Sequence, residues 1–329
     1  MSFSCSSSYS SSSSERPRFE DEEEHDFLAK TRGDNAVRTR YIGGMKRFLL
    51  PLFVLTASAC AVELSGDFKG PLGLQLYSLR EAFKADVSGT LDKVKAFGFT
   101  DVETANTYGL GAEKLLAMLK ERGLNPVSGH FQYEPLTKDL AGAVAEAKAL
   151  GLKFAVCPWI PHEEGIFGEA EAKKAAADFN KFGEAFKAAG ITFAYHCHGY
   201  EFKPLTEGGT ETAFDVLVRE TKPEFVSFQM DVFWVTHPGQ DPAKLLKKYG
   251  SRWALMHLKD IRKGAKTGLY TGHAPLTDDV PLGTGMVNWP EVLKTAKEVG
   301  VKYYFIEDES PTVMDALPIT TKYLSGLKF

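Results

Sequence analysis

The chain has 329 residues, of which 43% are hydrophobic and 25% charged, and its formal net charge is −4. This length is enough for one large domain, since a (β/α)8 barrel takes about 250 residues. Because the net charge is negative, there is no excess of basic residues to attract the phosphate backbone of a nucleic acid. No nucleic acid partner is therefore expected.

The first 44 residues differ from the rest in composition. Residues 4–14 are almost all serine, and residues 20–26 form an acidic patch. Such a composition cannot bury a hydrophobic core. We therefore interpret residues 1–44 as a wrongly annotated extension before a true start at Met45, with a disordered tail as the alternative.

Residues 45–61 have the three parts of a secretory signal peptide. Two basic residues follow the methionine, residues 48–55 are apolar, and residues 57–59 form a small-residue cleavage site. The apolar stretch is too short for a permanent membrane span, so the mature chain is predicted to lack one. We expect export to the periplasm. A lipoprotein anchored through Cys60 is the alternative.

From residue 73 onward, short apolar runs alternate with longer segments of helical period. This alternation predicts parallel strands joined by crossover helices. Several runs are apolar throughout, as in strands covered on both faces. The eight predicted strands are residues 73–76, 100–102, 126–129, 154–157, 192–196, 225–230, 253–257 and 303–306.

Glycines close four of the helical segments, and a glycine tolerates the left-handed conformation that ends helices. They are Gly98, Gly123, Gly151 and Gly190. Eight successive strand and helix units predict a closed (β/α)8 TIM barrel, forming a single α/β domain over residues 70–329. An open doubly wound sheet is the alternative, but no glycine-rich phosphate loop follows the first strand. Cys157 and Cys197 lie in apolar runs and are predicted to be buried thiols without a disulfide.

Polar residues stand at the carboxyl ends of the predicted strands, where barrels of this type place their active sites. A His, an Asp, a His and a Glu end the last four strands, and barrel closure brings them together. On the fifth strand the ligand is either His196 or His198. Imidazole and carboxylate together suit one divalent ion of Mn, Zn, Co or Mg. A purely hydrogen-bonded cluster is the alternative.

Three motifs resemble those of the xylose-isomerase-like family of sugar isomerases and epimerases. Residues 194–202 (AYHCHGYEF) resemble its Tyr-His-Asn-His-Asp-Phe-Glu-Phe motif, and residues 256–260 (MHLKD) its His-(Leu/Ile/Val)-Lys-Asp motif. Residues 282–289 resemble its Gly-x-Gly segment. The resemblance covers residues 73–327. Cys197 and Gly199 replace the commoner Asn and Asp, which leaves the substrate contacts there undefined.

The resemblance implies which residues hold the metal and which carry the chemistry. The implied metal ligands are His196, Asp231, His257 and Glu307, and the implied catalytic residues are Glu307, His196, His198 and Lys259. Lys259 would stabilise an enediolate or bind a substrate oxygen; an ion pair with Asp260 is the alternative. Ketose epimerases of the family have a fifth-strand Glu that this chain lacks, so an acid/base pair of Glu307 and a His is expected.

Further polar and aromatic residues at strand ends are predicted to bind substrate, because aromatic faces stack on sugar rings. They are Glu103, His130, Trp159, Glu201 and Trp234. The glycine-containing segment 262–285 is predicted to be a mobile flap over the site. A plain surface insertion is the alternative.

These residues predict a metal-dependent isomerase or epimerase of a non-phosphorylated sugar or keto-sugar. Next to a metal-bound carbonyl, a carboxylate or imidazole removes a proton from carbon and leaves an enediolate. Alternatives are a lyase or dehydratase of a keto-polyol or 3-keto-glycoside, an apurinic endonuclease, and a non-catalytic carbohydrate-binding barrel. The expected partner is a small carbohydrate. Homo-oligomer formation is left open.

Overall fold

The computed structural model describes residues 61–163 and 165–329. The predicted N-terminal extension, the signal peptide up to its cleavage site, and the Cys60 anchor lie outside the described residues. Export to the periplasm therefore stays a prediction. No helix in the described ranges is long and apolar enough to cross a membrane.

Eight parallel strands close into a barrel in the order β1-β10-β7-β6-β5-β4-β3-β2. Because β1 pairs with both β2 and β10, the alternative of an open doubly wound sheet is excluded. All eight predicted strands are present, and the fourth, fifth and eighth match to the residue. The barrel strands are β1 (Leu72–Gln75), β2 (Asp101–Thr104), β3 (Asn125–His130), β4 (Phe154–Cys157), β5 (Thr192–His196), β6 (Val226–Asp231), β7 (Trp253–Leu258) and β10 (Tyr303–Ile306).

Eleven α-helices are found in the described residues, and most lie between consecutive barrel strands. Gly151 follows α5 with φ +71°, so the predicted left-handed helix end is present there. The helices are α1 (Arg80–Ala85), α2 (Val87–Ala96), α3 (Ala112–Glu121), α4 (Tyr133–Lys138), α5 (Leu140–Leu150), α6 (Glu169–Ala188), α7 (Ala213–Glu220), α8 (Val232–Thr236), α9 (Pro242–Tyr249), α10 (Trp289–Val299) and α11 (Val313–Gly326).

The hydrophobic core has two parts. One lies between strands and helices, where aromatic rings such as Phe186 and Phe193 stack at 5.9 Å. The other is a compact apolar layer that includes Val156, Leu255 and Phe305. Alternation along β7 then turns the polar His257 inward, two residues beyond Leu255. Cys157 and Cys197 are buried free thiols, as predicted.

A two-stranded antiparallel pair organises the segment after β7. It consists of β8 (Asp260–Ile261) and β9 (Asp279–Val280). The Asp260 carboxylate accepts hydrogen bonds from the backbone N–H of Gly283 at 2.9 Å and from the Trp289 indole at 2.9 Å. The predicted flap, residues 262–285, is therefore anchored near both of its ends.

Candidate active site

A cavity of about 430 Å³ opens at the carboxyl ends of the barrel strands, the edge where barrel enzymes hold their substrates. The structure brings most of the predicted site residues to it. Those that line the cavity are His130, Trp159, His196, His198, Trp234 and Glu307. The other two predicted metal ligands, Asp231 and His257, are fully buried beside Glu307.

Asp231, His257 and Glu307 form one candidate metal site, with donor atoms all within 4.8 Å of one another. The His257 Nδ1 atom lies 3.1 Å from Glu307 Oε2 and 3.8 Å from Asp231 Oδ2. Asp231 Oδ1 accepts the backbone N–H of Trp234, whereas Oδ2 is buried and has no hydrogen-bond partner among the described residues. A buried carboxylate oxygen without a partner is costly unless a cation is near, so these residues fit a divalent metal.

His196 stands across from Asp231, with its Nε2 atom 3.9 Å from Asp231 Oδ2. Gln229 fixes the ring from behind, because its side-chain oxygen lies 2.9 Å from His196 Nδ1. A second group of possible donors, His130, His196 and His257, also lies within 4.8 Å. The His and carboxylate residues predicted at the last four strand ends thus converge.

Burial and charge set different protonation states for the histidines. Burial and the neighbouring His257 hold the pKa of His196 well below its usual value, so this ring is neutral and keeps a lone pair. Burial alone would lower the pKa of His257, but Glu307 and Glu103 outweigh it and raise that pKa well above normal. Without a metal, a proton on His257 supplies the positive charge that the buried carboxylates require.

Glu103 does not line the cavity, which corrects its predicted contact with substrate. Its carboxylate is fully buried and saturated by protein donors. Oε1 lies 2.5 Å from His257 Nε2 and accepts from the Gln75 amide at 2.7 Å. Oε2 accepts from Ser128 Oγ at 2.5 Å and from the Gln229 amide at 2.9 Å. Glu103 therefore orients the His257 ring and is not exposed to the cavity.

Lys259 is likewise absent from the cavity wall, although it was predicted to act on the substrate. Its Nζ atom lies 2.5 Å from Glu309 Oε1 and 3.7 Å from Glu307 Oε2. The alternative of a Lys259–Asp260 ion pair is wrong, because Asp260 is occupied by the N–H groups of the following loop. Burial would raise the pKa of Glu307, but Lys259 and His257 hold it well below normal.

His198 faces the cavity between two tryptophans. Its ring centroid lies 5.1 Å from that of Trp159 and 5.4 Å from that of Trp234. Burial lowers the pKa of His198 to about 3, so its ring is neutral. Its Nδ1 atom is buried and has no partner in the described residues. The neutral His198 ring therefore forms part of the cavity wall.

Glu201 lies behind the cavity, which corrects its predicted role in binding substrate. The side chain is fully buried and accepts hydrogen bonds from the Tyr195 hydroxyl and the backbone N–H of His198. Tyr195 packs against Phe179 of α6, on the helix side of the barrel wall. Glu201 thus fixes the turn that carries His198. Burial raises the pKa of Glu201 to about 7.

Part of the predicted flap forms one wall of the cavity. Gly272, His273, Ala274 and Leu276 line it. Gly272 has φ +68°, and a Cβ atom there would lie 2.9 Å from the Trp159 ring. The segment is therefore packed on the site. Its mobility stays a prediction.

Gln75 and Gln229 are functional residues that the sequence reasoning missed. Both are fully buried on the barrel strands, and both donate an amide hydrogen to Glu103. The sequence feature that indicates such residues is a polar side chain within an otherwise apolar strand, because a buried polar group needs a hydrogen-bond partner.

The model of the xylose isomerase-like TIM barrel family matches residues 91–329. The chain belongs to this family. Its predicted family and fold are confirmed by that match and by the closed eight-stranded barrel.

Named relatives of this family member are sugar-modifying enzymes. An inosose dehydratase of Mesomycoplasma hyopneumoniae (strain 7448) is 32% identical over 184 residues, or 50% of this chain. The match spans only 59% of that relative's length. An inosose dehydratase of Clostridium perfringens (strain 13 / Type A) is 26% identical over 267 residues, covering 70% of this chain and 85% of the relative.

The fold also resembles solved structures of the family. The structure of a sugar phosphate isomerase/epimerase from Parabacteroides distasonis superposes with a TM-score of 0.65 at 26% identity. The similarity covers 79% of this chain and 96% of that one. It therefore extends over nearly the whole of that barrel.

Proposed function

We propose that this family member is a metal-dependent enzyme that dehydrates a non-phosphorylated keto-polyol. The observation that carries the proposal is the buried Asp231 Oδ2 atom, which faces His196 and His257 and lacks a hydrogen-bond partner in the part of the chain that the structure describes. Two relatives that are named inosose dehydratase support the dehydratase reaction. The matches with this chain span 59% of the length of one relative and 85% of the length of the other.

The metal ligands in this proposal are His196, Asp231, His257 and Glu307. Two imidazoles and two carboxylates suit Mn, Zn or Co, and Mg less well because it prefers oxygen ligands. A divalent ion held there supplies Lewis acidity to the carbonyl and hydroxyl oxygens of the substrate.

Two side chains of the cavity wall carry the proposed chemistry. Glu307 stays ionised beside Lys259 and lines the cavity, so it is the base for a proton on the carbon next to the carbonyl. His198 lines the same cavity with a neutral ring, which can hydrogen-bond the departing hydroxyl. The proton that Glu307 removes from carbon is delivered to the departing hydroxyl, so breaking the C–H bond and the neighbouring C–O bond releases water and leaves an unsaturated ketone.

The residues that line the cavity favour a substrate without charge. Among the described residues that line it, none is Lys or Arg, and two are the carboxylates Glu307 and Glu309. A phosphate group would therefore find no lysine or arginine on the cavity wall to pair with. The proposed substrate is therefore a free polyol or sugar.

A sugar isomerase or epimerase is the second candidate, because the same proton removal precedes both outcomes. The similarity to the Parabacteroides distasonis protein, at 26% identity, favours it. Among residues 61–163 and 165–329, only one carboxylate, Glu307, stands both at the candidate metal site and on the cavity wall. Epimerisation removes a proton from one face of a carbon atom and returns it to the opposite face. A site with one carboxylate and one imidazole suits elimination better than this two-sided transfer.

The test combines metal analysis with product analysis of chain expressed from residue 62 onward. We expect about one Mn, Zn or Co per native chain, a loss of metal in Asp231→Asn, and no loss in Asp92→Asn, whose carboxylate is exposed on α2. The metal-loaded native protein is then incubated with inosose and keto-sugars in deuterated water. Dehydration supports the first candidate, whereas deuterium uptake without loss of water supports the second. A native protein that binds no added metal would overturn both.

A further inference from the structure

We propose that the substrate of this barrel has two sugar rings, with the second ring bound against Tyr77 in a separate cavity. This proposal rests on the proposed sugar-modifying function. The second cavity, of about 520 Å³, adjoins the catalytic one. Tyr77, Ala105 and Asn106 line both cavities. A ligand whose reacting ring lies beside Glu307 can therefore extend past Tyr77 into the second space.

Tyr77 forms an accessible aromatic platform at the junction. Tyr77 is 42% exposed, which is unusual for a large aromatic side chain beside a buried active site. The Arg80 guanidinium lies 4.6 Å from the ring centroid and pairs with Glu309 at 3.3 Å. The ring is thus held in place while much of its surface stays open for stacking.

The wall of the second cavity also holds a polar group that the protein leaves available. Asn106 Oδ1 accepts the backbone N–H of Tyr108 at 2.6 Å, and its amide nitrogen remains a donor. The neighbouring Tyr108 has its hydroxyl buried, and its ring stacks on Phe83 at 4.3 Å. The exposed Asn106 amide therefore suits a sugar hydroxyl.

The charges around the second cavity favour a neutral ligand. Its two cations are already paired, Arg80 with Glu309 at 3.3 Å and Lys84 with Glu81 at 2.8 Å. Little positive charge is left to bind a phosphate or carboxylate group. An aromatic platform with neutral hydrogen-bonding groups is the arrangement that a sugar ring requires.

The experiment measures binding to the metal-loaded protein by isothermal titration calorimetry. The one-ring probes are the methyl glucosides of both anomers, and the two-ring probes are cellobiose, maltose and gentiobiose. We expect at least one disaccharide to bind about tenfold more tightly than the matching methyl glucoside. Tyr77→Ala should abolish this difference, and Tyr77→Phe should keep it. Ile319→Ala, a matched change at a residue that is 49% exposed on α11, should also keep it.

Three results would overturn the two-ring substrate. If methyl glucosides and disaccharides bind the native protein equally, the second cavity has no role, and the proposed one-ring function stands. If Tyr77→Ala weakens both probe classes alike, Tyr77 serves the catalytic cavity alone. If none of these sugars binds while the metal is retained, the two-ring substrate is contradicted, whereas the proposed dehydration is decided separately by the assay with inosose and keto-sugars.

Discussion

Glu103 Oε1 lies 2.5 Å from His257 Nε2, so a carboxylate on the second strand holds the ring of a proposed metal ligand on the seventh barrel strand. The other ring nitrogen, Nδ1, is thereby directed at Asp231 and Glu307. A carboxylate behind a ligating histidine fixes its tautomer and raises its basicity. Gln229 extends this support to His196, because it bonds both Glu103 and the His196 ring.

Replacing Glu103 should weaken metal binding although Glu103 does not reach the metal site. We expect Glu103→Gln to lower the affinity for Zn²⁺ by about 10- to 100-fold, as measured by competition with a chromogenic chelator. Glu201→Gln is the matched control, since Glu201 is equally buried but bonds no proposed metal ligand. Equal affinities in the two variants would show that Glu103 does not position His257.

Lys259 should be essential for stability because it is the cation between several buried carboxylates. Lys259→Met leaves Glu307, Glu309 and Asp279 without the ammonium group that lies within 3.8 Å of each. We expect the free energy of unfolding to fall by about 3–5 kcal/mol in urea denaturation. Lys84→Met removes an exposed ion pair and should change little. A native-like unfolding curve for Lys259→Met would contradict this assignment.

The buried Glu201 should make stability depend on pH. Burial raises its pKa from 4.5 to about 7, so the folded chain keeps a proton that the unfolded chain loses between these values. The free energy of unfolding therefore falls as pH rises through this window, by about 1.4 kcal/mol per unit.

The corresponding variant, Glu201→Gln, cannot ionise and should gain stability relative to the native chain between pH 5 and pH 8, by up to about 3 kcal/mol. Urea denaturation at several pH values measures this difference. Glu184→Gln, at an exposed position on α6, should give a constant difference from the native chain. A constant difference for Glu201→Gln would show that Glu201 is ionised at all these pH values.

Alanine substitutions at two glycines of the predicted flap can distinguish the effect of backbone strain from the effect of crowding in the cavity. Gly272 has φ +68° and Gly268 φ +81°, so alanine at either costs about 1–2 kcal/mol. Only at Gly272 would the added Cβ meet Trp159, at 2.9 Å; at Gly268 nothing lies within 4 Å. We expect Gly272→Ala to weaken sugar binding several-fold in calorimetry and Gly268→Ala to leave it unchanged. Equal effects would mean that the flap does not shape the cavity.

The sequence by itself determined the barrel and the residue types at its carboxyl end. Apolar runs and helical periods are local patterns, and they located all eight barrel strands. His196, Asp231 and His257 could be placed on the barrel because each directly ends such a run. Their convergence followed from barrel closure, which fixes where strand ends meet.

Only the tertiary structure decided which buried polar groups contact each other. Glu103 and His257 are 154 positions apart, and Glu103 and Gln229 are 126 apart. No local pattern states that a strand-end carboxylate is saturated by such distant donors, so Glu103 was wrongly expected to contact substrate. Glu201 was also wrongly expected to contact substrate. Its carboxylate accepts hydrogen bonds from the Tyr195 hydroxyl and a backbone N–H, which hold it away from the cavity. Residue type and strand position indicate what a group can bind, but side-chain packing decides whether water, substrate or another side chain reaches it.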